Sequence, residues 1–177
     1  MIIQQDTRQK KKHHLAKEKW FADHGIKVVN SKCIVGDYIV PSDGSISVDT
    51  KKDIGELYSD LIQQHNRFKA ECELAQEIGI KLYILVENND NVTCIDDIIK
   101  WKNPQYFVWL KRQRQGVKCK PPASNQQLLK ILYSMEKKYD VSFLFCKPEE
   151  SAAKIVELLG GEKNDSDNRH GEREIDV

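Results

Sequence analysis

Residues 81–87 read KLYILVE, with apolar side chains at every position from Leu82 to Val86. A strand with one wet face alternates apolar and polar residues. A continuous apolar strand needs cover on both faces, as in the interior of a sheet with helices on either side. Other segments supply the neighbouring strands. MIIQQ opens the chain as a short strand. IKVV, GDYIV and SISVDTK follow as β structure, the last two divided by the turn signal SDG. VSFLFC reads as one more strand.

The helices have clear start and stop signals. KKKHHLAKEKWFADHG has Leu15, Trp20 and Phe21 as apolar contacts and Gly25 as its stop. Asp53 to Glu77 reads as one long helix with an apolar stripe of Ile54, Leu57, Leu61, Phe68, Cys72, Ala75 and Ile78. Asp60, Gln64, Arg67 and Glu71 share a different side of it. CIDDIIKW reads as a short helix. SNQQLLKILYSMEKKY opens with Ser124 and Gln127 in capping-box positions. PEESAAKIVELLGG begins with Pro148 and two acids and ends at glycine. The order β-α-β-β-β-α-β-α-α-β-α predicts an α/β fold with a central mixed β-sheet flanked by helices. The 177 residues suit one domain, expected over 1–160. Within it, 102–123 lacks periodicity and is expected to be a basic, aromatic loop or partly helical insertion. Residues 161–177 are polar and mixed in charge, and are expected to be a disordered tail.

Composition excludes several classes. No apolar run reaches the roughly 18 residues that span a bilayer, so no membrane association is expected. The N-terminus turns basic after two aliphatics, without a secretory h-region, which predicts a cytoplasmic protein without separating cytosol from nucleus. Five cysteines are scattered without a C-x-x-C pair and are expected to be free thiols, not a zinc site. The net charge of +1 conceals local bias. Arg8 to Lys19 holds six Lys/Arg and one acid, and Lys100 to Lys120 holds seven Lys/Arg and no acid. Such patches suit a polyanion.

One stretch carries chemistry. In GDYIVPSDGSISVDTKK, Asp49 and Lys51 are two apart on a strand and leave the same face. Asp37 begins the preceding segment, and the turn lets the two segments pair antiparallel. Two carboxylates and an ammonium could converge at one sheet edge. Carboxylates hold Mg²⁺, which polarises a phosphate and lowers the pKa of bound water; a lysine orients that water or offsets transition-state charge. D-x-K alone is a weak signal. The bland alternative is a solvent face carrying a surface ion pair worth about 0–1 kcal/mol.

The wider pattern is more specific. IIQQDTRQ, VGDYIV, VDTKKDIGEL, RFKAECELA and YILVE occur in that order. They resemble the XPF-type nuclease family, a branch of the PD-(D/E)xK, restriction-endonuclease-like fold. The motifs cover about residues 1–90, and the final helix–strand–helix segment looks like the rest of the same domain. The resemblance implies a restriction-endonuclease-like sheet and a metal-dependent DNA endonuclease using Mg²⁺, with Mn²⁺ substituting. Asp6 aligns with the first family acid and Arg8 with the basic residue two beyond it. Asp37 aligns with the acid of G-D-Y, and Asp49 and Lys51 with the glutamate and lysine of E-R-K. Asp37, Asp49 and Asp6 are the implied metal ligands. Arg67 and Glu71 align with polar positions of the following helix, where they would contact phosphate or support the ligands. Glu87 ends the LVE strand. Three positions depart from the pattern: Asp49 stands for Glu, Thr50 for Arg, and Gly55 for a later Asp. No helix-hairpin-helix or helicase module accompanies the motifs, so a stand-alone nuclease domain is expected. Flap, branched or junction DNA is the expected substrate, in recombination or repair, with a phage or mobile-element role by analogy.

Arg8, Lys10, Lys11, Lys12 and Arg67, with Lys111, Arg112 and Arg114, are the candidate DNA-binding residues, through phosphate contacts. Trp101, Tyr106, Phe107 and Trp109 interleave with the second basic segment, as stacking on unpaired DNA requires. Phe107 and Trp109 are also candidates for core or dimer contacts. His65, near the apolar stripe, is expected to be buried, and His13 and His14 to be exposed. DNA is the expected partner, with no small-molecule cofactor. A homodimer stays open, as do a Holliday-junction resolvase or restriction-type enzyme on the same fold, a silent DNA-binding domain and a structural adaptor.

Overall fold

The computed structural model describes residues 1–8 and 14–160. Six strands form one mixed sheet in the order β2-β1-β3-β4-β5-β6. They are β1 (Ile2–Gln5), β2 (Lys27–Asn30), β3 (Tyr38–Ile39), β4 (Ile46–Lys51), β5 (Lys81–Glu87) and β6 (Ser142–Cys146). β3 pairs antiparallel with both β1 and β4, while β4, β5 and β6 run parallel. The helices are α1 (Leu15–Asp23), α2 (Ile54–Ile62), α3 (His65–Glu77), α4 (Pro104–Arg114), α5 (Asn125–Tyr139) and α6 (Ser151–Leu159). A 3-10 helix spans Ile95–Lys100. None of the described helices is long and apolar enough to cross a membrane.

The double cover that KLYILVE demands is present. Leu82, Ile84 and Val86 join a core with α2, α3 and α5 on one face of the sheet. Leu85 joins Ile3, Tyr38 and Val48 under α1 and α6 on the other. Ser124 and Gln127 close the predicted capping box at the start of α5.

Several expectations are corrected. The long helix is two, α2 and α3, broken at Gln63–Gln64. His65 places Nδ1 3.2 Å from the Leu61 carbonyl, the acceptor that an unbroken helix gives to the His65 N–H. His65 is exposed, not buried. Ile78 and Leu15 also face solvent. His14 is buried, with Nδ1 2.5 Å from the Tyr38 hydroxyl. Residues 104–114 are a helix, capped by Asn103 and opened by Pro104. It buries no side chain, so it has no apolar stripe for periodicity to reveal. Lys10, Lys11, Lys12, His13 and the 161–177 tail lie outside the described residues.

Candidate active site

The antiparallel pairing of β3 with β4 brings Asp37 beside Asp49. The Asp37 N–H donates to the Val48 carbonyl at 2.9 Å, and the Asp37 carbonyl accepts from the Asp6 N–H at 2.8 Å. Three segments thus meet at one end of the sheet. Gly36 makes the turn possible. Its φ is +65°, and a Cβ there would lie 2.3 Å from Ser47 Oγ. Gly36→Ala is expected to cost about 1–3 kcal/mol through left-handed strain and that clash, measurable as a lower midpoint in urea.

Asp49 and Lys51 share a face, with Asp49 beside Ile84 and Lys51 beside Val86 in the parallel register. That face is not solvent, because α2 and α3 cover it. Asp49 and Lys51 are 5 % and 6 % exposed, so the surface ion-pair alternative fails. Lys51 Nζ lies 2.7 Å from Asp49 Oδ2 and 2.8 Å from Asp60 Oδ2. It also stands 5.5 Å from the centre of the Phe68 ring. Burial opposes its charge, but the two carboxylates outweigh that and hold its pKa well above the usual lysine range.

Asp37 Oδ2 accepts from the Thr50 N–H at 2.8 Å and the Thr50 hydroxyl at 2.7 Å. Burial, and then the nearby charge of Asp49, push the Asp37 pKa up to about 8 despite these bonds and Lys51. Glu71 accepts the Gly36 N–H at 3.0 Å. Burial and the Asp49 charge raise its pKa too. Asp6 is occupied differently. Arg8 reaches it through Nε at 2.9 Å and Nη2 at 2.6 Å, and the Cys33 N–H donates at 2.9 Å. Burial works against the Asp6 charge, but these bonds outweigh it and lower the pKa. Glu87 pairs with Lys17 and accepts from Ser151 Oγ at 2.8 Å.

These groups line one polar cavity of about 490 Å³. Seven carboxyl groups face five cations there. Were all seven ionised, the cavity would carry two negative charges in excess, a state that Asp37, with its raised pKa, reaches only at alkaline pH or beside a cation. Among the described residues no group of three His, Cys, Asp or Glu side chains has metal-holding geometry. Mg²⁺ does not need three: it keeps several waters and takes one or two carboxylates plus substrate phosphate. Asp49 Oδ2 is wholly buried, with the Lys51 ammonium at 2.7 Å. Hard oxygen donors, like charges close enough to perturb each other and a carboxylate with spare lone pairs fit such an ion.

The structure gathers Asp6, Arg8, Asp37, Asp49, Lys51, Arg67 and Glu71 around this cavity. Lys111, Arg112 and Arg114 lie outside it, exposed on α4. Sequence reasoning placed Asp60 on the polar helix side but gave it no role. It pairs with Lys51 at 2.8 Å and has Arg67 at 3.3 Å. Lys17 also went unassigned, since nothing in a lysine run marks one as buried against Glu87. Thr50, counted only as a departure, binds Asp37.

No family model matches the sequence, and no curated protein does. Solved structures do match. XPF from Aeropyrum pernix superposes with a TM-score of 0.56 at 16 % identity, covering 90 % of this chain and 63 % of that one. The same protein in complex with DNA gives 0.55 at 17 % identity, with the same coverage. This is the fold of XPF. The central mixed sheet flanked by helices is restriction-endonuclease-like, as the motifs implied. The chain spans less than two thirds of the length of the XPF chains it matches.

Proposed function

We propose that the chain is a metal-dependent DNA endonuclease that hydrolyses phosphodiester bonds, selective for flap, branched or junction DNA and serving recombination or repair. The observation that carries this is the buried Asp37–Asp49–Lys51 group at one end of an XPF-fold sheet. A matched XPF structure holds DNA, which supports DNA as the polymer.

Asp37 and Asp49 would hold Mg²⁺, with Mn²⁺ able to substitute. When bound, the ion polarises the scissile phosphate and lowers the pKa of a coordinated water. The chain's own residues do the rest. Lys51, held protonated by Asp49 and Asp60, is a donor and a fixed positive charge, not a base. It stabilises charge developing on the phosphoryl oxygens. Asp60 keeps Lys51 aimed, and Thr50 keeps Asp37 oriented. Asp6 locks Arg8, whose side chain is 55 % exposed, so that its guanidinium borders the cavity. Arg67, 71 % exposed, does the same from the other side. Both suit phosphate contacts.

The test uses labelled duplex, flap and four-way-junction DNA with Mg²⁺ or EDTA. Cleavage should require the metal, and Asp49→Asn and Lys51→Gln should each lower it by about 100-fold or more while DNA binding persists. Paired symmetric cuts on the junction would point to the resolvase alternative. Binding without cleavage in Mg²⁺ or Mn²⁺ would overturn the enzyme reading in favour of a silent domain.

A further inference from the structure

Helix α4 and its return segment form a surface that the active cavity does not explain. Eleven residues, Pro104–Arg114, make a helix with no buried side chain. It is held to the returning chain along its edge, where Trp109 Nε1 and Gln113 Nε2 both donate to the Cys119 carbonyl at 3.1 Å. Tyr106 and Phe107 are left 48 % and 59 % exposed. Between α4 and the returning chain lies a mostly apolar groove of about 490 Å³, walled by Trp101, Asn103, Tyr106, Phe107, Pro121 and Pro122.

The amide side chains in its walls are already engaged. Asn103 Oδ1 accepts the Gln105 N–H at 2.9 Å, and Asn125 Nδ2 donates to the Trp101 carbonyl at 2.5 Å. The groove therefore offers ring faces and little directed hydrogen bonding. Most of its wall comes from a segment rich in cations, with seven Lys/Arg and no acid from Lys100 to Lys120. A flat apolar body on a polyanionic backbone matches both features.

We propose that this groove holds an unpaired base of a DNA strand, stacked on Tyr106 and Phe107 without sequence preference, while Lys111, Arg112 and Arg114 hold its backbone. The proposal rests on the nuclease reading for its choice of DNA and deepens it, because it supplies the element that distinguishes unpaired from paired substrate. Its position is suited to that. Gln105 accepts from Gln63 Nε2 at 3.4 Å, and Gln63 lies one helical turn beyond Asp60 of the active cavity. The groove thus lies beside the C-terminal end of α2, the helix that carries Asp60. A second copy of the chain is a poorer occupant, since a two-fold contact here would set two acid-free cationic segments against each other.

The test measures fluorescence anisotropy of the full chain in EDTA against labelled single-stranded DNA, a blunt duplex, and that duplex with a single-stranded overhang. Replacing Tyr106→Ala together with Phe107→Ala should weaken binding to the single strand and the overhang by about ten- to a hundredfold, and to the blunt duplex by less than about twofold. Lys111→Gln with Arg112→Gln and Arg114→Gln should weaken all three and flatten the salt dependence. Both sets are exposed, so circular dichroism should be unchanged. An equal effect of the aromatic pair on all three DNAs, or no effect, would overturn the proposal. So would a drop in solution mass with single-strand affinity kept, which would mark a dimer contact. A chain that discriminates in EDTA but never cuts keeps the groove and loses the nuclease. One that cuts without discriminating loses the groove alone.

Discussion

Lys51→Met is expected to destabilise the fold by about 3–5 kcal/mol, the usual cost of removing one partner from a buried charge group. The three side chains involved, Lys51, Asp49 and Asp60, are 6 %, 5 % and 3 % exposed. Lys51 Nζ is within 2.8 Å of both carboxylates, and removing it leaves two buried acids facing each other. Methionine keeps most of the stem against Phe68, so the loss isolates charge, not packing. The control is the double variant Lys51→Met with Asp60→Asn. With one acid neutralised, the double variant should recover roughly half of the lost stability, a coupling that chemical denaturation with a double-mutant cycle reads directly. Independent, additive losses would mean that Asp60 is not the partner the structure makes it.

How far such a group can be read from sequence depends on how local its parts are. The β5 run announced its double burial because both covers are dictated by one segment's own side chains. Ser124 and Gln127 are three residues apart, so their capping box was legible. The alternation of Asp49 and Lys51 fixed their shared face but not its environment. That environment is set by α2 and α3, which bring Asp60 and Phe68 over Lys51. At the break between the two helices a histidine ring meets the Leu61 carbonyl, a contact that no periodicity records. Lys17 on α1 and Glu87 at the end of β5 meet on one face of the sheet from segments far apart in sequence, and only the topology joins them. His14 looked exposed among lysines, yet the chain enters α1 with that ring turned onto Tyr38. Helix α4 escaped for the opposite reason: it buries nothing, so its pattern is set by surface chemistry, not by a core.

The Asp37 carboxyl links stability, pH and metal. Burial and the Asp49 charge raise its pKa from about 3.8 to about 8. The folded protein then holds a proton that the unfolded chain releases near pH 4. Asp37 therefore supports folding fully below about pH 3.8, and that support is lost progressively as pH rises to about 8. Asp37→Asn keeps an acceptor for the Thr50 N–H and hydroxyl but cannot ionise. Without divalent cations, the variant and the wild type should melt alike near pH 4, and the variant should melt higher at pH 8, by at least about 2–4 °C. Adding Mg²⁺ should close the gap from the other side. It binds the ionised pair Asp37–Asp49 and so stabilises the wild type at pH 8 by mass action, while leaving Asp37→Asn nearly unmoved. Calorimetry across pH with and without Mg²⁺ separates the outcomes. A wild type that gains no stability from Mg²⁺ or Mn²⁺ at pH 8 would remove the divalent site, and with it the hydrolytic mechanism. A gain that persists undiminished in Asp37→Asn would move the ion to other carboxylates of the cavity. The expected pattern, a pH-dependent penalty that the ion relieves, is what two buried acids arranged to receive a cation must show.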